Sequence, residues 1–348
     1  MHKKCLIANR GEIAVRVIRA CRELGIATVA VYSEADAGTK HVLMADEAYL
    51  IGAASPAASY LNIAKLIQVA QDAACDCVHP GYGFLSESPD FAQAVIDAGL
   101  TWVGPQPDTI ALMGVKTEAR ARMDTAGVPL VPGYQSESAD NAAFLKAADG
   151  IGYPLMVKAA GGGGGKGIRV VHTADGLPDA LDSARREAQN AFGDPRLFLE
   201  KYIENPKHIE VQILGDLYGN LVHLYERDCS VQRRFQKVVE IAPNVTLSKK
   251  TKQKLYNYAI KLCAAAGYTC AGTVEFLIDE AENIYFIEVN PRIQVEHTIT
   301  EQITGIDLVR SQILVCQGYQ LMHEKIGINN QMSVRINGCA IQCRVTTE

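Results

Sequence analysis

No apolar stretch of about 18 residues runs uninterrupted through this chain, so a membrane-spanning helix is not expected. Positive charge is not in excess either: 34 Lys and Arg stand against 39 Asp and Glu, a net charge of −5. That balance excludes a protein built to coat nucleic acid or an anionic membrane, yet leaves local anion sites open. Met1 to Arg10 is a short basic tip running into Cys5-Leu6-Ile7-Ala8, too short for a signal segment. A cytoplasmic location is therefore expected. The ten cysteines lack metal or disulfide spacing: Cys75 and Cys77 are too close for a zinc pair, and Cys339 and Cys343 have no second pair nearby. They read as structural thiols. The fingerprint G-x-G-x-x-G is missing after the first apolar run, so no dinucleotide site is inferred. Lys166 is followed by Gly167 rather than Ser or Thr, which excludes a Walker P-loop.

What is present is a large soluble chain. Its 348 residues exceed the usual span of one core, and 48% hydrophobic with 21% charged residues is an ordinary globular mix. Apolar runs at 4–9, 28–32, 75–79 and 100–103 read as strands, and 12–24, 61–74 and 88–98 as helices. That alternation predicts an α/β fold opening on a parallel, Rossmann-like sheet. After about residue 112 the pattern changes. A helix is expected over 116–125, strands over 155–159 and 168–171, and a helix over 175–191. Further strands are expected over 197–203, 208–215, 220–227, 273–278 and 284–290, with a helix over 248–266 between them. The apolar run Cys339 to Val345 reads as a core strand close to Glu348, which suggests a piece of something longer.

Four clusters carry chemistry. Gly161 to Gly165 lie between two expected strands, where backbone N–H groups can approach an anion without Cβ interference. Around the turn Asp279 to Asn283, a symmetric hairpin sets Glu275 opposite Glu288 and puts Asn290 on the face of Glu288. Opposed carboxylates repel unless something neutralises them, and a hard cation such as magnesium takes oxygen ligands. Just beyond, Arg292, Gln294 and Glu296 alternate: a fork for a planar anion, an amide and a proton acceptor. The charged run Glu226-Arg227-Asp228-Cys229-Ser230-Val231-Gln232-Arg233-Arg234-Phe235-Gln236-Lys237 reads as a solvated charge cluster or, lying between expected strands, an anion site.

Taken in order, several segments resemble the biotin carboxylase family. They are Ala8-Asn9-Arg10-Gly11-Glu12-Ile13-Ala14, His79-Pro80-Gly81-Tyr82-Gly83-Phe84-Leu85-Ser86-Glu87, Lys158 with the glycine run, Glu200-Lys201-Tyr202, Gln232-Arg233-Arg234, Lys237-Val238-Val239-Glu240 and Glu288 through His297. Glu226-Arg227-Asp228-Cys229-Ser230 and the run 341–348 look closest to pyruvate carboxylases. The resemblance implies a Rossmann-like domain over 1–112, an ATP-grasp domain over 113–317 with a mobile glycine-rich lid at about 132–202, and an incomplete C-terminal subdomain over 318–348.

It also implies roles. Lys116, Lys158, Gly164 and Gly165 resemble ATP-phosphate contacts, and Gly163 and Ile168 are implied to bind the cofactor beside them. Glu200, Lys201, Ile203, His208, Gln232, Phe235 and Leu277 resemble the nucleoside pocket. Glu275, Glu288 and Asn290 match a magnesium (or manganese) site. Arg292, Gln294 and Val295 match a bicarbonate cradle, with Lys237 nearby; Glu296 matches the base that deprotonates bicarbonate. Arg344 resembles the arginine that stabilises the ureido oxygen of biotin. Implied partners are a biotin carboxyl carrier, a carboxyltransferase and a second copy of the chain, joined through the first helix, Arg16 to Glu23. Phe235 and Cys339 stand where the family usually has histidine. Three other readings compete: the biotin carboxylase subunit of an acetyl-CoA or propionyl-CoA carboxylase, a different ATP-grasp ligase, such as a carbamoyl-phosphate or carboxylate–amine ligase, and a non-catalytic nucleotide-binding remnant.

Overall fold

Short runs rich in β-branched residues need partners on both sides, and a parallel sheet supplies them. A computed structural model describes residues 2–114, 127–135, 141–159, 168–234 and 236–345. Lys116, Gly163, Gly164, Gly165, Phe235 and the helix expected over 116–125 lie outside the described residues. The first sheet contains β1 (Lys4–Ile7), β2 (Ala27–Ser33), β3 (Glu47–Gly52), β4 (Cys77–His79) and β5 (Thr101–Trp102), in the order β3-β2-β1-β4-β5. Every pairing is parallel, as expected, although β3 was not among the expected strands. The strand order reverses direction at β1, so the crevice beyond the ends of β1 and β4 is where such sheets hold ligands.

The two motif segments meet there. Asn9 follows β1, and its Nδ2 donates to the carbonyls of Pro80 (2.7 Å) and Tyr82 (2.8 Å) after β4. Gly81 has φ +64°, and a Cβ there would lie 2.9 Å from Asn9 Nδ2, so both conformation and space demand glycine. Helix starts are capped by the residues that the sequence supplies: Asn62, Ser88, Ser248 and Asp307 each accept a hydrogen bond from a backbone N–H three residues on. Each such cap contributes about 1 kcal/mol.

The remaining strands are antiparallel. β6 (Gly133–Gln135), β9 (Leu197–Lys201), β7 (Leu155–Ala159) and β8 (Arg169–Val171) form a four-stranded sheet in that order. The largest sheet runs β14-β13-β10-β11-β12-β15, from β10 (Lys207–Gly215), β11 (Leu221–Arg233), β12 (Gln236–Ala242), β13 (Cys270–Ile278), β14 (Ile284–Asn290) and β15 (Ala340–Cys343). The helix Lys249–Ala265 packs on one face through Leu255, Ala259 and Leu262, against Ile209, Val211, Val274 and Phe276. A second core joins the first sheet to this one: Val17 and Ile18 of the helix Gly11–Glu23 share it with Leu214, Val222, Ile293, Leu308 and Ile313.

Three expectations change. The strand expected over 220–227 does not stop there: β11 runs on to Arg233 and pairs with β12, so the basic cluster lies on paired strands. The run Cys339 to Val345 is not a core strand; β15 lies on the sheet edge against β12, with Ile341 and Val345 exposed. The hairpin of β13 and β14 is not symmetric. Near the turn Phe276 faces Phe286, yet Glu275 faces Glu288, so Ile287 is an extra residue forming a bulge. All ten cysteines are free thiols, and those of β1, β4 and β13 are buried.

Candidate active site

Side chains on paired strands that stand directly opposite share a face. Pairing sets Glu288 against Glu275, Glu275 against Glu210, and Glu210 against Arg227, one polar row across β14, β13, β10 and β11. The adjacent row on that face holds Asn290, Thr273 and Gln212. A sequence signal for this row that the expectations left out is the alternation in β10, where His208, Glu210 and Gln212 interleave with Ile209, Val211 and Ile213. Glu210 and Glu275 are both buried, so their charges require partners.

Lys237 of β12 is the chief partner. Its Nζ lies 2.6 Å from Glu210 Oε2, 2.9 Å from Glu275 Oε1 and 2.9 Å from Glu296 Oε1. Burial works against that ammonium, but the three carboxylates overturn it and hold the lysine above its ordinary range. Glu275 also accepts from His208 Nε2 (2.5 Å), Asn290 Nδ2 (2.8 Å) and Gln294 Nε2 (2.8 Å). Burial favours its neutral form, yet Lys237 and His208 hold it well below the carboxylate range. His208 is desolvated too, and Glu275 raises it above the usual imidazole value.

Glu296 sits at the start of the helix His297–Thr304, 2% exposed in its side chain. Lys237 holds one of its oxygens, and Arg344 Nη2 holds the other at 3.0 Å. Burial opposes ionisation, but Lys237, Arg227 and Arg344 keep its pKa at about 2. Arg344 follows β15, and its Nε donates to Glu240 Oε1 at 2.6 Å. Burial pushes Glu240 up despite that arginine, and its second oxygen has no hydrogen-bond partner among the described residues. Arg292 donates to Asn290 Oδ1 (2.8 Å) and to the Ile293 carbonyl (3.2 Å), with Nε 3.2 Å from Glu87 Oε1. The segment after β4 thus reaches the loop 291–296.

The anticipated residues fall into two groups. Lys237, Glu275, Asn290, Arg292, Gln294, Glu296 and Arg344 form one connected network of hydrogen bonds. Glu288 joins it through strand pairing, and Val295 lies between Gln294 and Glu296, half-buried. His208 links it to Gln232, whose Nε2 is 2.9 Å from His208 Nδ1, and Leu277 stands opposite His208 on β13. Lys158, Glu200 and Lys201 belong to the four-stranded sheet, and Ile168 immediately precedes β8. Lys158 pairs with Glu200. Lys201 spends its ammonium on the carbonyls of Gly152 (3.0 Å) and Tyr153 (2.7 Å), and its backbone N–H donates to the Pro132 carbonyl at 2.8 Å. Ile203 is buried just after β9. Glu210, Arg227, Glu240 and Glu87 were not among the anticipated site residues. Glu275, Glu288 and Asn290 offer oxygen donors only, a set that fits a hard divalent cation.

Two family models match the chain: the biotin carboxylase N-terminal domain over residues 1–110, and the ATP binding domain of the carbamoyl-phosphate synthase L chain over 115–324. The chain is 56% identical to mitochondrial pyruvate carboxylase of Mus musculus, over 99% of its own length and 29% of that protein. It thus spans under a third of the pyruvate carboxylases it matches. It is 50% identical to biotin carboxylase 1 of Bacillus subtilis, covering 100% of this chain and 76% of that one. A biotin carboxylase of Campylobacter jejuni solved with β,γ-ATP superposes with a TM-score of 0.92 at 45% identity, over 99% of this chain and 76% of the other. The biotin carboxylase domain of Hydrogenobacter thermophilus 2-oxoglutarate carboxylase, a dimer solved with MgADP, ADP and bicarbonate, superposes at 0.91 with 48% identity, over 99% and 74%.

Proposed function

The chain belongs to the biotin carboxylase family, and from that premise we propose that it carboxylates biotin with ATP and bicarbonate, as the first half-reaction of a biotin-dependent carboxylase. The observation that carries the proposal is the position of Glu296. It is a buried carboxylate flanked by Lys237 and Arg344 and two residues from Gln294, with Arg292 in the same loop. A ligase that does not use bicarbonate has no need of a carboxylate base set among cations in this way.

Bicarbonate is a poor nucleophile, so its attack on the γ-phosphorus requires a base and screened charge. Arg292, Gln294, the Val295 backbone and Lys237 hold the anion. Glu296 takes its proton while an oxygen of bicarbonate bonds to phosphorus and ADP leaves. Sharing Lys237 and Arg344 with the incoming anion weakens their hold on Glu296, which raises its proton affinity when the proton must move. Carboxyphosphate then breaks down to CO₂ and phosphate beside biotin, whose ureido oxygen Arg344 stabilises. Glu275, Glu288 and Asn290 would hold magnesium, which would supply charge neutralisation at the phosphates. Lys116, Lys158, Gly163, Gly164, Gly165 and Ile168 line the phosphates. Glu200, Lys201, Ile203, His208, Gln232, Phe235 and Leu277 surround the nucleoside.

A biotin carboxyl carrier and a carboxyltransferase complete the reaction, in the cytoplasm. The likeness to pyruvate carboxylases supports pyruvate as the final acceptor. A second copy joins through the helix Gly11–Glu23, although Arg16 already pairs within its own chain, with Glu301 (2.9 Å) and Asp307 (2.7 Å). No helix among the described residues is long and apolar enough to cross a membrane. The test is ATP cleavage measured with and without bicarbonate and free biotin. Cleavage that needs bicarbonate and rises with biotin supports the proposal. Cleavage indifferent to bicarbonate points to another ATP-grasp ligase, and nucleotide binding without cleavage to a remnant.

A further inference from the structure

Arg227 helps to keep Glu296 ionised but has been given no other role, and it is among the largest fully buried side chains of the described residues. Every N–H of its guanidinium is used. Nε donates to Glu210; Nη1 donates to Gln212 Oε1 (2.7 Å) and Thr300 Oγ1 (2.9 Å). Nη2 donates to Thr273 Oγ1 (3.2 Å) and Gln294 Oε1 (2.8 Å). A guanidinium has five donors in a fixed fork, so none remains for a ligand. Arg227 therefore ties β10, β13, the helix His297–Thr304 and the loop bearing Gln294 into one unit.

The contact to Gln294 has a consequence for polarity. A primary amide ends in an acceptor on one side and a donor on the other. Arg227 can only donate, so the amide oxygen faces it. Glu275 stands on its other side, and Gln294 Nε2 donates to its Oε1 at 2.8 Å. Reversing the amide would set Nε2 against the guanidinium and the oxygen against the carboxylate, leaving two buried contacts repulsive. The second N–H of Nε2 is then available to an anion.

We propose that Arg227 is a positioning residue that fixes the polarity of the Gln294 amide, so that the anion cradle presents an N–H rather than a carbonyl. The proposal rests on the bicarbonate reading above. A purely structural Arg227, there to neutralise Glu210, makes a different forecast. Lysine at this position keeps the charge but lacks the fork, so it cannot hold Glu210 and Gln294 together.

The test is Arg227→Lys in the full chain. Its KM for bicarbonate rises at least about ten-fold, the scale of one lost charge-assisted hydrogen bond, while its KM for ATP stays within about two-fold. Should Arg227→Lys fail to fold, Arg227→Met with Glu210→Gln removes the pair without leaving a bare buried charge, and the same split is expected. The second measurement needs no turnover: the bicarbonate concentration that gives half the rise in melting temperature, with MgADP present. It moves up by a similar factor in the variant. An unchanged bicarbonate dependence in both measurements, or equal losses for ATP and bicarbonate, overturns the proposal. Wild-type protein that binds bicarbonate without cleaving ATP removes the proposed function and leaves the binding arm to decide on Arg227. Wild-type protein that does not bind bicarbonate removes both.

Discussion

Lys237 Nζ stands 2.9 Å from Glu296 Oε1, so the carboxylate proposed as base is an ionised partner of the same ammonium that would face its substrate. Without Glu296, Lys237 still has Glu210 and Glu275 at 2.6 and 2.9 Å, and the network keeps a neutralised core. Glu296→Ala therefore leaves ATP affinity nearly unchanged and lowers bicarbonate-dependent turnover by about 10²–10⁴-fold, the usual range for a lost general base. Nucleotide binding and kcat measured side by side decide this. A large loss of ATP affinity with intact turnover makes Glu296 a binding residue.

Glu288 and Glu275 face each other but differ in what else they touch. Glu275 accepts from His208, Lys237, Asn290 and Gln294. Glu288→Gln raises the magnesium concentration for half-maximal ATP cleavage by about ten-fold or more and nearly abolishes cleavage at limiting metal. Glu275→Gln has a milder effect on turnover but also lowers the melting temperature, because four donors lose a charged acceptor. Near-normal turnover of both variants at limiting magnesium would sink the metal assignment.

Glu240 holds Arg344 by its Nε at 2.6 Å. Glu240→Gln keeps the shape and removes the charge that orients the guanidinium. Basal bicarbonate-dependent ATP cleavage then changes by under about three-fold, while stimulation by free biotin falls by about ten-fold, one charge-assisted hydrogen bond. The ratio of rates with and without biotin reports the difference, and an equal drop in both would assign Glu240 to the ATP step.

His223 is remote from this chemistry: its ring stacks on Tyr256 at 4.1 Å. Burial lowers its pKa to about 4. An unfolded chain titrates this group at about 6.5, so between those values the unfolded state binds a proton that the folded state refuses. Its contribution is full above about pH 6.5 and is lost as pH falls toward about 4. The urea midpoint of the wild-type protein should fall between pH 7.5 and 5. His223→Phe should flatten that fall by about 2 kcal/mol. Parallel curves for the two proteins would mean that His223 charges freely in the folded state.

The sequence made the parallel sheet legible because its strands are short apolar runs spaced by helices and glycine stops. Glu275 opposite Glu288 was read from a symmetric hairpin, but the pairs next to the turn are one residue out of that register, and the bulge at Ile287 restores it. Arg227 was hidden by its setting, Glu226-Arg227-Asp228, which reads as a solvated charge run. Its burial comes from neighbours on three other elements, a tertiary effect that local composition does not carry. β12 was missed for a similar reason: Gln236, Lys237 and Glu240 interrupt its apolar residues, and the strand is specified by β11 and β15 on either side. The exposure of Ile341 and Val345 was equally illegible, since an apolar run looks the same on a sheet edge as in a core.

The bulge at Ile287 has a consequence of its own. Phe286 faces Phe276 in the core while Glu288 faces Glu275, and Ile287 is the residue left over. A shortened β14 without Ile287 would preserve every one of those pairings and lose only the local bend and added twist. Identity of partner and direction of aim, which a point substitution alters together, are therefore separable in this strand. The single-residue deletion leaves the chemistry of Glu288 intact and changes only where it points.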